Sequence, residues 1–136
     1  MKILIVEDEL ASRKFLTYVM AGYGECTSAV NGIEAVDEFT RALESGERYD
    51  LICMDIMMPE MDGQEALKRI RGIETDNGIA PHLETKVLMT TALKDPSNVV
   101  EAYYKGGASI YLTKPLDGEK IGEAMVELGF LKKKNE

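Results

Sequence analysis

Five residues spread along the 136-residue chain have side chains suited to one piece of chemistry: the acid pair Glu7-Asp8, then Asp55, Thr91 and Lys114. Each follows a short apolar run. "ILIV" leads into Glu7-Asp8, "LICM" into Asp55, "VLM" into Thr90-Thr91, and "IYLT" into Lys114. Three carboxylates gathered in one pocket repel one another, and two of them about 4 Å apart cost about 4 kcal/mol at an effective dielectric of 20. A raised pKa or a cation relieves that repulsion. Oxygen-only ligands with room for water suit Mg2+ better than a transition metal. The alternating acids and glycine of a Ca2+ loop are missing, and His82, the one histidine, cannot build a zinc site. Mg2+ beside a lysine neutralises charge on a transferring phosphoryl group, for which a carboxylate can be the nucleophile.

These residues meet only if the apolar runs are strands of one sheet. Strands are predicted over 2–6, 25–30, 49–55, 85–91 and 109–113, each rich in branched or apolar residues. Apolar residues at helical spacing predict a helix over 10–20, with Gly22 and Gly24 as its stop. Asn31 with Glu34 reads as a capping box for a helix to about Leu43, and Asp62 with Glu65 for a helix to about Gly72. Residues 73–84 have turn composition without apolar periodicity and read as an extended surface loop. Asp95-Pro96 opens a helix to about Lys105, and Asp117 caps a last one to about Leu128. Five strands alternating with five helices predict an α/β sandwich on a mostly parallel sheet. In such a sheet, ligands bind outside the carboxyl ends of the strands, where all five polar residues fall.

The chain is long enough for one domain, which at this size buries roughly 68–70% of its unfolded surface. With 24 acids against 16 bases the net charge is −8, and no basic face precedes the lysines of the tail. Direct nucleic-acid binding is therefore disfavoured. Cys26 and Cys53 lie within strand-like runs and read as reduced core residues. The first apolar run is too short for a signal peptide or a membrane span, which leads to the expectation of a cytoplasmic protein without membrane insertion.

"ILIVEDE", "LICMDIMMPEMDG", "MTTA" and "YLTKP", in that order and each at a strand terminus, resemble the receiver domain of two-component response regulators over residues 2–128. The resemblance implies a flavodoxin-like (βα)5 three-layer sandwich with a parallel five-stranded sheet of order 2-1-3-4-5. It implies a receiver over 1–129, a short basic tail over 130–136 and no effector domain. Asp55 would accept a phosphoryl group from a phosphohistidine of a sensor histidine kinase or phosphotransfer protein. Asp8 and Asp55 would ligate Mg2+ with the backbone carbonyl of Met57, and Glu7 would act through water. Lys114 would pair with the acid before reaction and with a phosphoryl oxygen after it. Thr91 would hydrogen-bond another phosphoryl oxygen, and Tyr111 would be the switch aromatic. The Lys114–Pro115 bond would be cis, with a trans bond in a rigid turn as the alternative. A downstream protein would dock on the face made by the helix at 95–105, the strand at 109–113 and the helix at 117–128. The chain would be a monomer or a phosphorylation-dependent dimer, and would carry out no catalysis beyond its own phosphorylation and dephosphorylation.

Strand alternation sends Thr90 and Thr91 to opposite faces, so one of them serves; the Thr-Ala pair favours Thr91, leaving Thr90 to pack. Asp50 starts its strand and so lies at the wrong edge. Met57 and Leu93, two residues past Asp55 and Thr91, either hinder an attacking water or simply pack. The methionines at 54, 57, 58 and 61 read as core or pocket wall rather than a copper site. Tyr103 and Tyr104 either join Tyr111 in a partner surface or contribute to the core. A rival reading is a small Mg2+-dependent phosphohydrolase with an aspartyl nucleophile, which needs a second acid where Met57 stands. A phosphate-independent docking module is another. A flavin carrier of the same topology is disfavoured by the acidic loop after the first strand.

Overall fold

The computed structural model describes residues 1–92 and 107–132. The chain runs β1 (Lys2–Val6), α1 (Leu10–Met20), β2 (Glu25–Ala29), α2 (Gly32–Glu44), β3 (Leu51–Asp55), α3 (Gly63–Asp76), a 3-10 turn (Pro81–Leu83), β4 (Lys86–Thr91), β5 (Ile110–Thr113) and a C-terminal helix (Gly118–Glu127). The five strands form one parallel sheet in the order β2-β1-β3-β4-β5, the flavodoxin-like arrangement. The helix expected over 95–105, together with Leu93, Tyr103 and Tyr104, lies outside the described residues, as do the last four residues of the tail.

Central strands are continuous apolar runs because both of their faces are covered. Leu4, Val6, Ile52, Met54, Val87 and Met89 pack with Phe39, Leu67 and Ile70 of α2 and α3. Ile3, Ile5, Leu51, Cys53, Leu88 and Ile110 pack on the opposite side with Leu16 and Met20 of α1 and Ile121 and Met125 of the C-terminal helix. The period-two alternation of a strand divides the core into these two layers. It also fixes on which side each strand-terminal polar group emerges.

Among the described residues the predicted N-caps form, Asp95 lying outside them. Asn31 accepts from the Glu34 N–H at 2.9 Å, Asp62 from Glu65 at 2.9 Å, and Asp117 from Lys120 at 2.8 Å. Two glycines bring the segment after β3 close to its neighbours. A Cβ at Gly63 would collide with the backbone carbonyl oxygen of Asp55, and one at Gly32 would collide with that of Met61. The proline-and-glycine stretch after Asp55 is thereby clamped between the start of α2 and the start of α3. Glu60, within it, holds a left-handed φ of 68°.

The expected loop over 73–84 is corrected. Helix α3 continues four residues past Gly72 to Asp76, and Pro81–Leu83 form a 3-10 turn. Gly72 does not end the helix because its backbone stays out of the left-handed region, which the chain next enters at Gly78, with φ 71°. The helix is held at this end by Glu74, 1% exposed. Its carboxylate accepts from Arg71 Nη1 at 2.6 Å and from the Thr85 N–H at 2.7 Å, with Arg48 Nη2 at 3.8 Å. Arg71 in turn donates to the carbonyl of Gly107 from two nitrogens, at 3.2 and 2.9 Å. Smaller corrections fall at strand ends: β3 starts at Leu51 and not Tyr49, whose hydroxyl instead donates to Glu38 at 2.7 Å, and β2 stops at Ala29.

Truncating one partner of a buried charged cluster leaves the others unpaired in low dielectric. Glu74→Ala should therefore cost about 3 kcal/mol in urea unfolding. A half-exposed acid of the same helix, Glu65→Ala, should cost well under about 1 kcal/mol.

Candidate functional site

Strand alternation carries the apolar face of β1, Ile3 and Ile5, forward to Glu7, and that of β3, Leu51 and Cys53, forward to Asp55. Because β1 and β3 are adjacent in the sheet, the two acids emerge side by side on the α1 side. Glu7 is 1% exposed, Asp55 is 6% exposed, and Asp8 opens to solvent. One carboxylate oxygen from each of the three lies within 4.8 Å of the others.

Lys114 arrives from beyond the end of β5. Its Nζ sits 3.1 Å from Glu7 Oε2 and 3.5 Å from Asp55 Oδ1, so its closer partner is Glu7. The Lys114–Pro115 bond is cis, as the resemblance implied, and the Lys114 N–H donates to the Thr91 carbonyl at 2.6 Å. Burial pushes the Asp55 carboxyl up, the Glu7 charge adds to this, Lys114 opposes it and Asp8 adds a little more; the result is about 6. Burial works against the Lys114 charge, but Asp55 and Glu7 outweigh it and raise its pKa.

Thr91 and Tyr111 are on the other side of the sheet. Thr91 follows Val87 and Met89 onto the α2–α3 side, and Tyr111 is the register partner of Met89. Tyr111 packs against that core layer with its hydroxyl buried. Thr91 is itself buried at the strand's end, its Oγ1 3.4 Å from the Ala92 carbonyl oxygen. Thr90, set aside as a packing residue, is the register partner of Asp55. Met57 stands 54% exposed just past Asp55. Asp50 is at the far edge of the sheet, where its carboxylate accepts from the Lys2 N–H at 2.8 Å. Met54, Met58 and Met61 belong to the core layer on the α2–α3 side. Cys26 and Cys53 are free thiols, and burial pushes Cys53 up to about 12.

Arg13 was not picked out in the sequence. Its Nη1 donates to the carbonyls of Glu7 at 3.0 Å and Asp8 at 3.4 Å, tying the acid turn to the first turn and a half of α1. A cation one helical turn after an acid pair was the available signal.

The donor set fits a small hard divalent cation. It consists of carboxylate oxygens alone, two of them buried, with the third on the solvent side, where waters would complete a coordination shell. Without such a cation, an ionised Asp55 costs stability. Its folded pKa of about 6 lies above the ordinary 3.8, so the penalty is full above pH 6 and fades as the folded form takes up a proton toward pH 4. Asp55→Asn should therefore unfold about 1–2 kcal/mol less readily than the native chain at pH 7.5 in EDTA, after allowance for solvent screening. That advantage should vanish near pH 4, as read by urea titration at each pH.

The family model for the response regulator receiver domain matches residues 3–126. Chemotaxis protein CheY of Thermotoga maritima is 32% identical over 126 residues, covering 91% of this chain and 93% of that protein. Chemotaxis protein CheY of Bacillus subtilis is 31% identical over 126 residues, with the same coverage of each chain. Among solved structures, the CheX–CheY–BeF3–Mg2+ complex from Borrelia burgdorferi superposes with a TM-score of 0.75 at 28% identity, over 94% of this chain and 89% of that one. Acids converging from the ends of β1 and β3, with a lysine reaching them from β5, are thus set in a sequence that the family spans from first strand to last helix: this chain belongs to the response regulator receiver domains of two-component signalling.

Proposed function

We propose that the chain is a phosphoacceptor switch. Asp55 takes a phosphoryl group from a phosphohistidine on a sensor histidine kinase or phosphotransfer protein, and the modified chain changes what it docks to. The observation that carries this reading is the Glu7–Asp8–Asp55 carboxylate cluster with the Lys114 ammonium against it. An Asp55 oxygen attacks phosphorus, the new P–O bond replaces the P–N bond, and the imidazole leaves and takes up a proton. Asp8, Asp55 and the Met57 carbonyl are the residues to hold Mg2+, with Glu7 acting through water. When bound, the ion neutralises charge on the phosphoryl oxygens. That the Borrelia burgdorferi CheY complex was solved with BeF3 and Mg2+ agrees with this chemistry.

Lys114 has two partners to leave, Glu7 and Asp55, and turns one of its N–H groups toward a phosphoryl oxygen. Thr91 is drawn to a second phosphoryl oxygen, and Tyr111 moves into the space left on the α2–α3 side. Phosphorylation adds charge and strong acceptor oxygens at this point. Moving a two-state surface from 1:99 to 99:1 takes about 5.5 kcal/mol of differential stabilisation. The surface so biased is the one over β5 and the C-terminal helix, where a downstream protein or a second phosphorylated copy docks. The setting is the cytoplasm, without direct contact to nucleic acid; no helix among the described residues is long and apolar enough to cross a membrane.

Intact-protein mass after incubation with acetyl phosphate, with and without Mg2+, tests this on the native chain and on Asp55→Asn. One Mg2+-dependent phosphoryl adduct that is lost in the variant is the expected result. No adduct, with BeF3 also leaving the Tyr111 environment unchanged, would make the chain a phosphate-independent docking module. The decay rate of the adduct also reads whether Met57 and Leu93 hold water away from phosphorus.

A further inference from the structure

Thr90 is fully buried, and its Oγ1 has no hydrogen-bond partner among the described residues. A buried hydroxyl without a partner is a standing cost that a valine of nearly the same shape avoids. Its position explains what it is for. Thr90 is the register partner of Asp55 on one side and of Leu112 on the other. Leu88, Cys53 and Leu112 all belong to the core layer on the α1 side, so alternation places Thr90 on that side too.

Lys114 must cross this spot. It leaves the sheet beyond β5, and its Nζ ends against Asp55 on β3 and Glu7 on β1. Strand β4 lies between, with neighbouring strands about 4.8 Å apart. The lysine therefore passes over β4 on the face where Thr90 stands. By register and alternation, Thr90 is the residue at the end of β4 that shares this face with Asp55 and Leu112.

We infer that Thr90 is a positioning residue for Lys114, its hydroxyl accepting a hydrogen bond from the ammonium once Lys114 gives up Asp55 for a phosphoryl oxygen. This rests on the phosphoacceptor reading above. An ammonium has three N–H donors and no acceptor, whereas a hydroxyl offers two lone pairs. Glu7 and Asp55 take two of the donors in the unmodified chain. When Asp55 becomes an acyl phosphate, a phosphoryl oxygen takes its place on the ammonium, and as Lys114 turns its third donor comes to Thr90, the neutral acceptor on the same face. The partner that the hydroxyl lacks is then supplied by the reaction itself.

The test uses the full chain with acetyl phosphate and Mg2+, in Thr90→Val, Thr90→Ser, Lys114→Met and the Thr90→Val/Lys114→Met double variant. Thr90→Val should be at least as stable as the native chain in urea, because it removes an unsatisfied hydroxyl. It should nonetheless form the adduct about tenfold more slowly, the weight of one hydrogen bond to a charged group. Thr90→Ser should come within about twofold of the native rate, since it keeps the hydroxyl. In the Lys114→Met background, adding Thr90→Val should change nothing further, because the two residues act as one unit. A native rate in Thr90→Val, a Thr90→Ser variant as slow as valine, or full slowing in the Lys114→Met background would each overturn the assignment. If Thr90→Val folds poorly, the serine variant still decides between hydroxyl and shape. A native chain that takes no phosphoryl group sinks the phosphoacceptor reading and Thr90 with it. A native chain that does, beside an unaffected valine variant, sinks Thr90 alone.

Discussion

Three carboxylates held within 4.8 Å of one another set the terms for the rest of the molecule. Their repulsion is opposed in the described structure by the Lys114 ammonium, and burial first, then the Glu7 charge, still hold the Asp55 carboxyl above its ordinary range. Everything that brings charge to the site depends on strand order. Adjacent β1 and β3 place Glu7 and Asp55 side by side, and β5 lies two strands from β3. A long flexible side chain is needed to span that gap, which a lysine supplies and no shorter cation could. The cis Lys114–Pro115 bond and the Lys114 N–H to Thr91 carbonyl contact fix where that side chain begins.

The segment after Asp55 answers to the same requirement by another route. An acid at the end of a buried strand must face solvent and ligands, while its backbone must stay put. Gly63 lets α3 start directly against the Asp55 carbonyl, and Gly32 lets α2 start directly against Met61. The Gly63 N–H donates to Ile56 at 2.8 Å and the Gly32 N–H to Met61 at 3.0 Å. The backbone under the acid is therefore fastened at both ends, and only side chains and the exposed Met57 are left to adapt.

Most of this architecture was legible because the sequence signals were unambiguous. The strands are short apolar runs, the three side-chain caps at Asn31, Asp62 and Asp117 carry their partner acids or bases in the expected register, and the polar residues follow the runs directly. The C-terminal part of α3 was not legible. A glycine in the helix and a buried acid where an apolar residue was due both break the periodicity, and only three-dimensional partners, Arg71, Arg48 and the Thr85 N–H, make Glu74 tolerable there. Thr90 and Thr91 show a different limit. Alternation says that they face opposite ways, but not which layer each meets, and the Asp55–Thr90 register that decides it is a long-range property. Arg13 was only half legible: a cation soon after an acid pair marks it, but its targets are backbone carbonyls, which leave no mark in the sequence.

The Arg71 fork on Gly107 has a mechanical meaning for β5. The edge strand is fastened at its beginning to the rigid body of α3, which Glu74 locks in turn to the start of β4. At its other end it carries Lys114. Between these two ends it is paired to β4 from Ile110 to Thr113. Lengthwise travel of the strand is thereby opposed at Gly107 and along the ladder, so the site's adjustable part on this side is the Lys114 side chain and not the register of the strand that carries it.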